Sequence, residues 1–227
     1  LFEIQEFIMR KISEALLDGG GLGYDMSSLE SMGCHMFFGE VDVDTSHAAC
    51  DFILKSNLTS QGEIMPLTMF VNSVGGDCTE GFAVIDLMET SRLPIATVGI
   101  GAVMSMGVLL VSAGYKGLRT MTKNTEVMAH QFAGQTYGKM HELVAAHESN
   151  LMLERRFIRH FLNHTTMTEK QIRDILFAPS DRYLTPAECK KFGLIDQVVD
   201  YFDQPPVIEA PAKKPAAKKR KSPSSAK

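Results

Sequence analysis

Chemistry in this sequence begins with Ser105, in the stretch Gly101-Ala-Val-Met-Ser-Met-Gly107. The β-branched run Ile95-Ala-Thr-Val-Gly-Ile100 ends just before it, and a helix-like apolar run, Met106 to Ala113, follows. A hydroxyl at such a junction lies near the positive end of the helix dipole, beside the exposed N–H of Met106. Those are the physics of a nucleophile elbow, although the Gly-x-Ser-x-Gly signature is not matched. The same position also suits a serine that merely caps the helix. A second junction, Asn72-Ser-Val-Gly-Gly-Asp77, separates a strand at 67–71 from a helix beginning near Thr79. Paired glycines let the backbone take unusual dihedrals and let another chain approach closely. Free N–H groups at a strand–helix junction can receive an anion or a developing oxyanion. A tight βα turn uses the same residues.

A serine nucleophile needs a base, and the base needs an orienting acid. His130 lies 25 residues beyond Ser105, just after the short strand at Val127-Met128, so the next strand end can return to the same sheet edge. His35 and His47 precede both junctions, whereas His141, His147, His160 and His164 belong to or adjoin a helical region. A hydrogen-bonded structural histidine is the alternative reading of His130. Spacing does not select the acid, because Asp174, Asp181, Asp196 and Asp200 all lie downstream. Asp181 belongs to the loop Pro179-Ser-Asp-Arg-Tyr183 between two predicted helices, from which a side chain could reach inward.

The elements that must position these residues alternate. Strands are expected at Met36–Phe38, continuing toward Val41, and at Leu67–Val71, Ile95–Ile100, Val127–Met128 and Leu194–Val199. Helices are expected at Ala48–Leu54, capped by Thr45 and Ser46, and at Thr79–Thr90, Met106–Ala113 and Glu169–Phe177; another opens at Thr185-Pro186. This pattern predicts an α/β fold with a largely parallel sheet. Apolar residues from Met140 to Leu162 recur at helical intervals, long enough for a helix that projects from the body. Residues 1–17 carry an amphipathic pattern that Gly19-Gly-Gly21 stops. Beyond Gln204 the chain turns Pro-, Ala- and Lys-rich, a composition expected to be disordered. Three segments follow: an N-terminal helical piece at 1–23, a main domain at 24–203, and a basic tail at 204–227.

Composition excludes some functions. The net charge of −4 hides a basic tail, in which residues 209–227 hold seven Lys or Arg against one acidic residue. The remaining body holds 16 basic and 26 acidic side chains, a poor surface for nucleic acid. The tail run Lys213 to Lys221 reads as a solvated segment rather than a nuclear signal or a dock for an acidic partner. Cys34, Cys50, Cys78 and Cys189 lack CxxC spacing and read as reduced thiols, not metal ligands. The uncharged stretch Leu93 to Tyr115 is long enough to cross a bilayer. Its glycines and its switch from strand to helix character make it a buried strand–turn–helix instead.

Taken together, Asn72-Ser-Val-Gly-Gly-Asp77, Gly101–Gly107, Met128-Ala-His-Gln131, Asp181-Arg-Tyr-Leu-Thr-Pro-Ala-Glu188 and Phe192-Gly-Leu-Ile-Asp196 resemble the proteolytic subunit of Clp protease. Order and approximate spacing agree over about residues 34–200. The resemblance implies a crotonase-like fold of repeated β-β-α units with a projecting handle helix. It also implies Ser105 as nucleophile, His130 as general base and Asp181 as its orienter. The N–H groups of Gly76 and Met106 would form the oxyanion hole, with Gly75 shaping the turn. The helix around 140–162 would be the handle through which two heptameric rings stack into a tetradecameric chamber. Unfolded polypeptides would be fed to that chamber by a hexameric AAA+ unfoldase, which alone uses ATP. The cut itself needs no metal or organic cofactor, and the expected compartment is a bacterial, phage-infected or organellar interior.

The sequence departs from the family pattern at Val74, where Pro is usual, at Asp77, which adds a charge near the substrate strand, and at Phe132, which stands for Pro. Residues 1–23 do not resemble the family's axial-pore loop. Competing readings are a catalytically silent ring subunit, a phage prohead-type protease, or a CoA-ester enzyme of the same fold. A CoA enzyme would carry a carboxylate near the second junction, and none stands between Arg92 and Tyr115.

Overall fold

The computed structural model describes residues 26–60 and 65–199. The expectations for the N-terminal helix and for the basic tail lie outside these residues. A short helix, α1 (Met26–Ser31), leads into β1 (Cys34–Val41), α2 (Val43–Thr59), β2 (Leu67–Gly76), α3 (Cys78–Thr90), β3 (Ile95–Met104) and α4 (Met106–Ser112). Then come β4 (Arg119–Thr122), β5 (Glu126–Ala129), the long α5 (Met140–His164) and α6 (Glu169–Gln171), which runs on into a π-helical turn at Ile172–Leu176. β6 (Arg182–Leu184), α7 (Pro186–Phe192) and β7 (Gln197–Val199) complete the order. The expected α/β class holds. The expected cap of α2 shifts: Asp42 is the N-cap and accepts from Thr45 N, while Asp42 N donates to Thr45 Oγ1 in a capping box.

The seven strands form one sheet in the order β1-β2-β3-β4-β7, all parallel, with β5 beside β3 and β6 antiparallel to β5. Each long strand acts as two segments. On β2 and β3 the register runs from Val71 opposite Gly99 to Ser73 opposite Val103. The first half of β3 pairs with β4, and its second half, Ala102–Met104, pairs with β5. Asn72 braces the break, its Oδ1 accepting from Ala102 N at 2.9 Å. Gly101 turns there with φ 62°, and a Cβ would stand 2.8 Å from that same Oδ1. Two strand segments followed by a helix make the β-β-α unit that the resemblance implied.

Burial follows these units. Phe37, Phe52, Met69, Ile85, Leu110 and Met121 are all but inaccessible, each worth about 1.5–3 kcal/mol of transfer energy. The stretch 93–115 is this core, and among the described residues no helix is long and apolar enough to cross a membrane. Cys34 and Cys189 are buried free thiols, and burial pushes Cys189 up to about 12, so it stays protonated.

The sheet's far edge is closed by a buried ion pair. Arg119, on β4, donates from Nη2 to Asp196 Oδ1 at 2.7 Å and from Nε to Oδ2 at 3.0 Å. The N–H groups of Gly117 and Arg119 also reach Asp196 Oδ2, at 2.7 and 3.0 Å. Burial raises the Asp196 carboxyl, but these bonds outweigh it and hold the group below its ordinary range.

α5 has 25 residues, roughly 37 Å at 1.5 Å per residue. Leu153 is its first apolar residue packed against the core and full burial begins at Phe157, so roughly its first three turns add nothing to the core. Met140, Leu143, Val144, Leu151 and Met152 are exposed there. This is the projecting handle that the sequence predicted.

Candidate active site

Ser105 is the one non-glycine residue with positive φ among those described, at φ 51°, ψ −121°. Such strain costs on the order of 1–3 kcal/mol and persists only where surrounding structure enforces it. Two groups enforce it. Ser105 N donates to Met128 O at 2.8 Å, tying the turn to β5. Gly75 packs against the other side, where a Cβ would stand 2.5 Å from Ser105 Cβ and 2.9 Å from Met104 O. Any side chain at Gly75 would push the serine out of place, so this glycine is required by close approach.

Ser105 does not serve as a side-chain cap of α4. Its hydroxyl makes no helix-capping hydrogen bond. Instead Ser105 Oγ lies 2.8 Å from His130 Nε2. The ladder explains the meeting, because Met104 pairs with Met128 and the two strands end side by side. Among the described residues, none of the other histidines bonds Ser105. His35 is buried against Glu30 and stacked on Phe52, and His47, His141 and His147 are exposed. His160 bonds Ser112 Oγ, and burial pushes its pKa down to about 3, beyond use as a base near neutrality.

The acids also sort by position. Asp174 pairs with Lys170 on the surface, Asp196 is committed to Arg119, and Asp200 lies outside the described residues. Asp181 immediately precedes β6, and Ala129 opposite Arg182 is the last rung of the β5–β6 ladder. Asp181 and His130 are therefore the next positions past that rung. The Asp181 side chain is exposed and, among the described residues, makes no hydrogen bond to His130. The structure thus joins serine to histidine and leaves the aspartate at the mouth of the same strand pair.

Gly75, Gly76, Ser105 and His130 line one cavity of about 270 Å³. Gly76 packs onto β1, where a Cβ would meet Val41 O at 2.3 Å, and the place a Gly75 Cβ would take is 3.0 Å from Met106 N. Sequence reading missed the apolar wall of the cavity. Val74, Val108, Leu109, Phe132, Phe157 and Leu176 come from five separate segments. Phe132 stacks on Phe157 with centroids 5.9 Å apart, which accounts for an aromatic at that position. Asp77 is exposed and immediately precedes α3. It caps α3, accepting from Thr79 N at 2.7 Å and Glu80 N at 3.0 Å. Gln131 is a further brace, its Nε2 donating to Phe177 O at 2.7 Å.

A strained serine against a histidine at the ends of adjacent parallel strands, with a glycine pair behind it, agrees with an independent comparison. The family model for Clp protease matches residues 24–202, which span every element just described. The chain belongs to the Clp protease family and is a peptidase of that type.

Proposed function

We propose that this chain is a serine endopeptidase that cuts unfolded polypeptides inside a double-ring chamber. One observation carries the reading: the 2.8 Å contact between Ser105 Oγ and His130 Nε2 at a strained strand–helix turn. His130 takes the hydroxyl proton as Ser105 attacks the peptide carbonyl. The N–H groups of Gly76 and Met106 receive the oxyanion, a kind of contribution worth roughly 3–4 kcal/mol per donor in other enzymes. His130 then protonates the leaving amine, and water releases the acyl-enzyme. Asp181 orients His130 once its side chain turns inward. The exposed apolar residues of α5 support docking of a second ring on the handle, and unfolded chains would be delivered by an AAA+ unfoldase.

Fluorophosphonate labelling tests this. Modification located at Ser105 by mass spectrometry, and lost in His130→Ala, is the expected result. No labelling of the assembled protein would sink the peptidase reading in favour of a silent ring subunit. The exposed position of Asp181 favours one refinement, that assembly completes the triad. Labelling of the ring should then be faster than labelling of dissociated subunits, and Asp181→Asn should slow only the ring.

The cavity wall sets a preference. A pocket of Val, Leu and Phe side chains desolvates an apolar residue without cost but would strand a carboxylate. Fluorogenic peptides with Leu or Met before the cut should exceed those with Asp by roughly 100-fold or more in kcat/KM. Equal rates would show that the pocket does not bind that residue.

A further inference from the structure

Side chains of α3 and α5 form a second cluster, none of whose members lines the cavity described above. His160 and His164 sit one turn apart on α5, with ring centroids 4.5 Å from each other. Glu89, near the end of α3, reaches across to them, its Oε1 2.8 Å from His164 Nε2. One ring nitrogen of each histidine and one carboxylate oxygen lie within 4.8 Å of one another. Two imidazoles and a carboxylate are the donor set of Zn²⁺-class ions. Around such an ion, ligand atoms bound at 2.0–2.1 Å stand roughly 3.3 Å apart, so side-chain rotations of about an ångström would close the site.

Two further features suit a ligand. Ser112 Oγ donates to Leu109 O at 3.0 Å and lies 2.9 Å from His160 Nε2, an arrangement that suits the tautomer in which Nε2–H donates to the serine oxygen. That bond leaves Nδ1 as the nitrogen with the lone pair, the way an outer hydrogen bond fixes a metal-binding tautomer. Glu89 and His164 also line a groove of about 1140 Å³, which gives an ion a way in and a water the remaining position. The nearby Arg119 guanidinium is already paired with Asp196.

We propose that Glu89, His160 and His164 form a binding site for a divalent ion of the Zn²⁺ class. The ion would staple the end of α3 to the base of the handle helix. α3 starts just past Gly75-Gly76, and α4, which supplies Ser112, starts just past Ser105. The staple therefore ties the handle to the helices that follow the glycine pair and Ser105, while taking no part in the cut.

The 227-residue chain, titrated with Co²⁺ and Zn²⁺, provides the test. One ion per subunit with micromolar or tighter affinity is expected, with the strong visible bands of four-coordinate Co²⁺. His164→Ala and Glu89→Gln, both at accessible positions, should weaken binding by about 10–100-fold. His141→Ala and His147→Ala should leave it unchanged. Zn²⁺ should raise the melting temperature of the unmodified protein by a few degrees and that of His164→Ala not at all. Absence of Co²⁺ bands, or bands that survive His164→Ala and vanish with His141→Ala or His147→Ala, would overturn the site.

Discussion

Ser105→Ala is expected to lower kcat for an unfolded polypeptide by roughly 10⁴–10⁶-fold, with the ring intact. His130→Ala should fall into the same range, and the double variant should be no worse than either alone, because the two groups act as one unit. The measurement is degradation of a fluorescently quenched unfolded protein, with assembly followed by gel filtration. If Ser105→Ala keeps more than about a hundredth of the activity, the nucleophile lies elsewhere. Stability should move the other way. The backbone at Ser105 has φ 51°, a conformation that glycine adopts without strain. Ser105→Gly should therefore be inactive yet more stable by about 1 kcal/mol in chemical denaturation. A variant that is both active and unchanged in stability would contradict the elbow reading on both counts.

The second large effect concerns stability alone. Arg119 is 3% exposed and carries its charge inside the fold on the strength of Asp196. Its Nη1 also reaches the carbonyls of Ser112 and His164. Breaking a buried pair from one side leaves an uncompensated charge, at a cost of roughly 3–5 kcal/mol. Asp196→Asn should accordingly lower the melting temperature by about 10 °C, with β7 losing its hold on β4. The pH dependence follows from the direction of the shift. The Asp196 carboxyl is held below its ordinary value in the folded state. Its stabilisation is complete above the unfolded value of about 3.9 and is lost as pH falls through the lower folded value. In Asp196→Asn that part of the acid unfolding should be missing. A melting temperature within a degree or two of the parent would mean that solvent reaches and screens this pair.

Much of the site was legible before folding because the relevant signals are local. Ser105 was marked by a strand signature giving way to a helical one, and Gly75-Gly76 by a pair that only a sharp turn or a close approach requires. His130 followed from its place just after the next strand. The handle was legible because its apolar positions repeat at helical intervals over 25 residues.

Other features depend on partners distant in sequence. The strand Arg182–Leu184 is three residues long and has no periodicity to reveal it; it exists because β5 offers an edge. That pairing brings Asp181 to the level of His130, whereas sequence spacing left four aspartates equal. Asp196, one of those four, was taken by Arg119, 77 positions earlier. The cavity wall gathers side chains from segments between Val74 and Phe177, each of which reads singly as ordinary core. Which turns could present a nucleophile and an oxyanion-binding backbone was readable from the chain alone, since a strand pattern giving way to a helical one and a pair of glycines are local signals. The partner of Asp196 and the make-up of the pocket wall emerge only on folding, because they arise from strand pairing and packing between segments far apart in the chain.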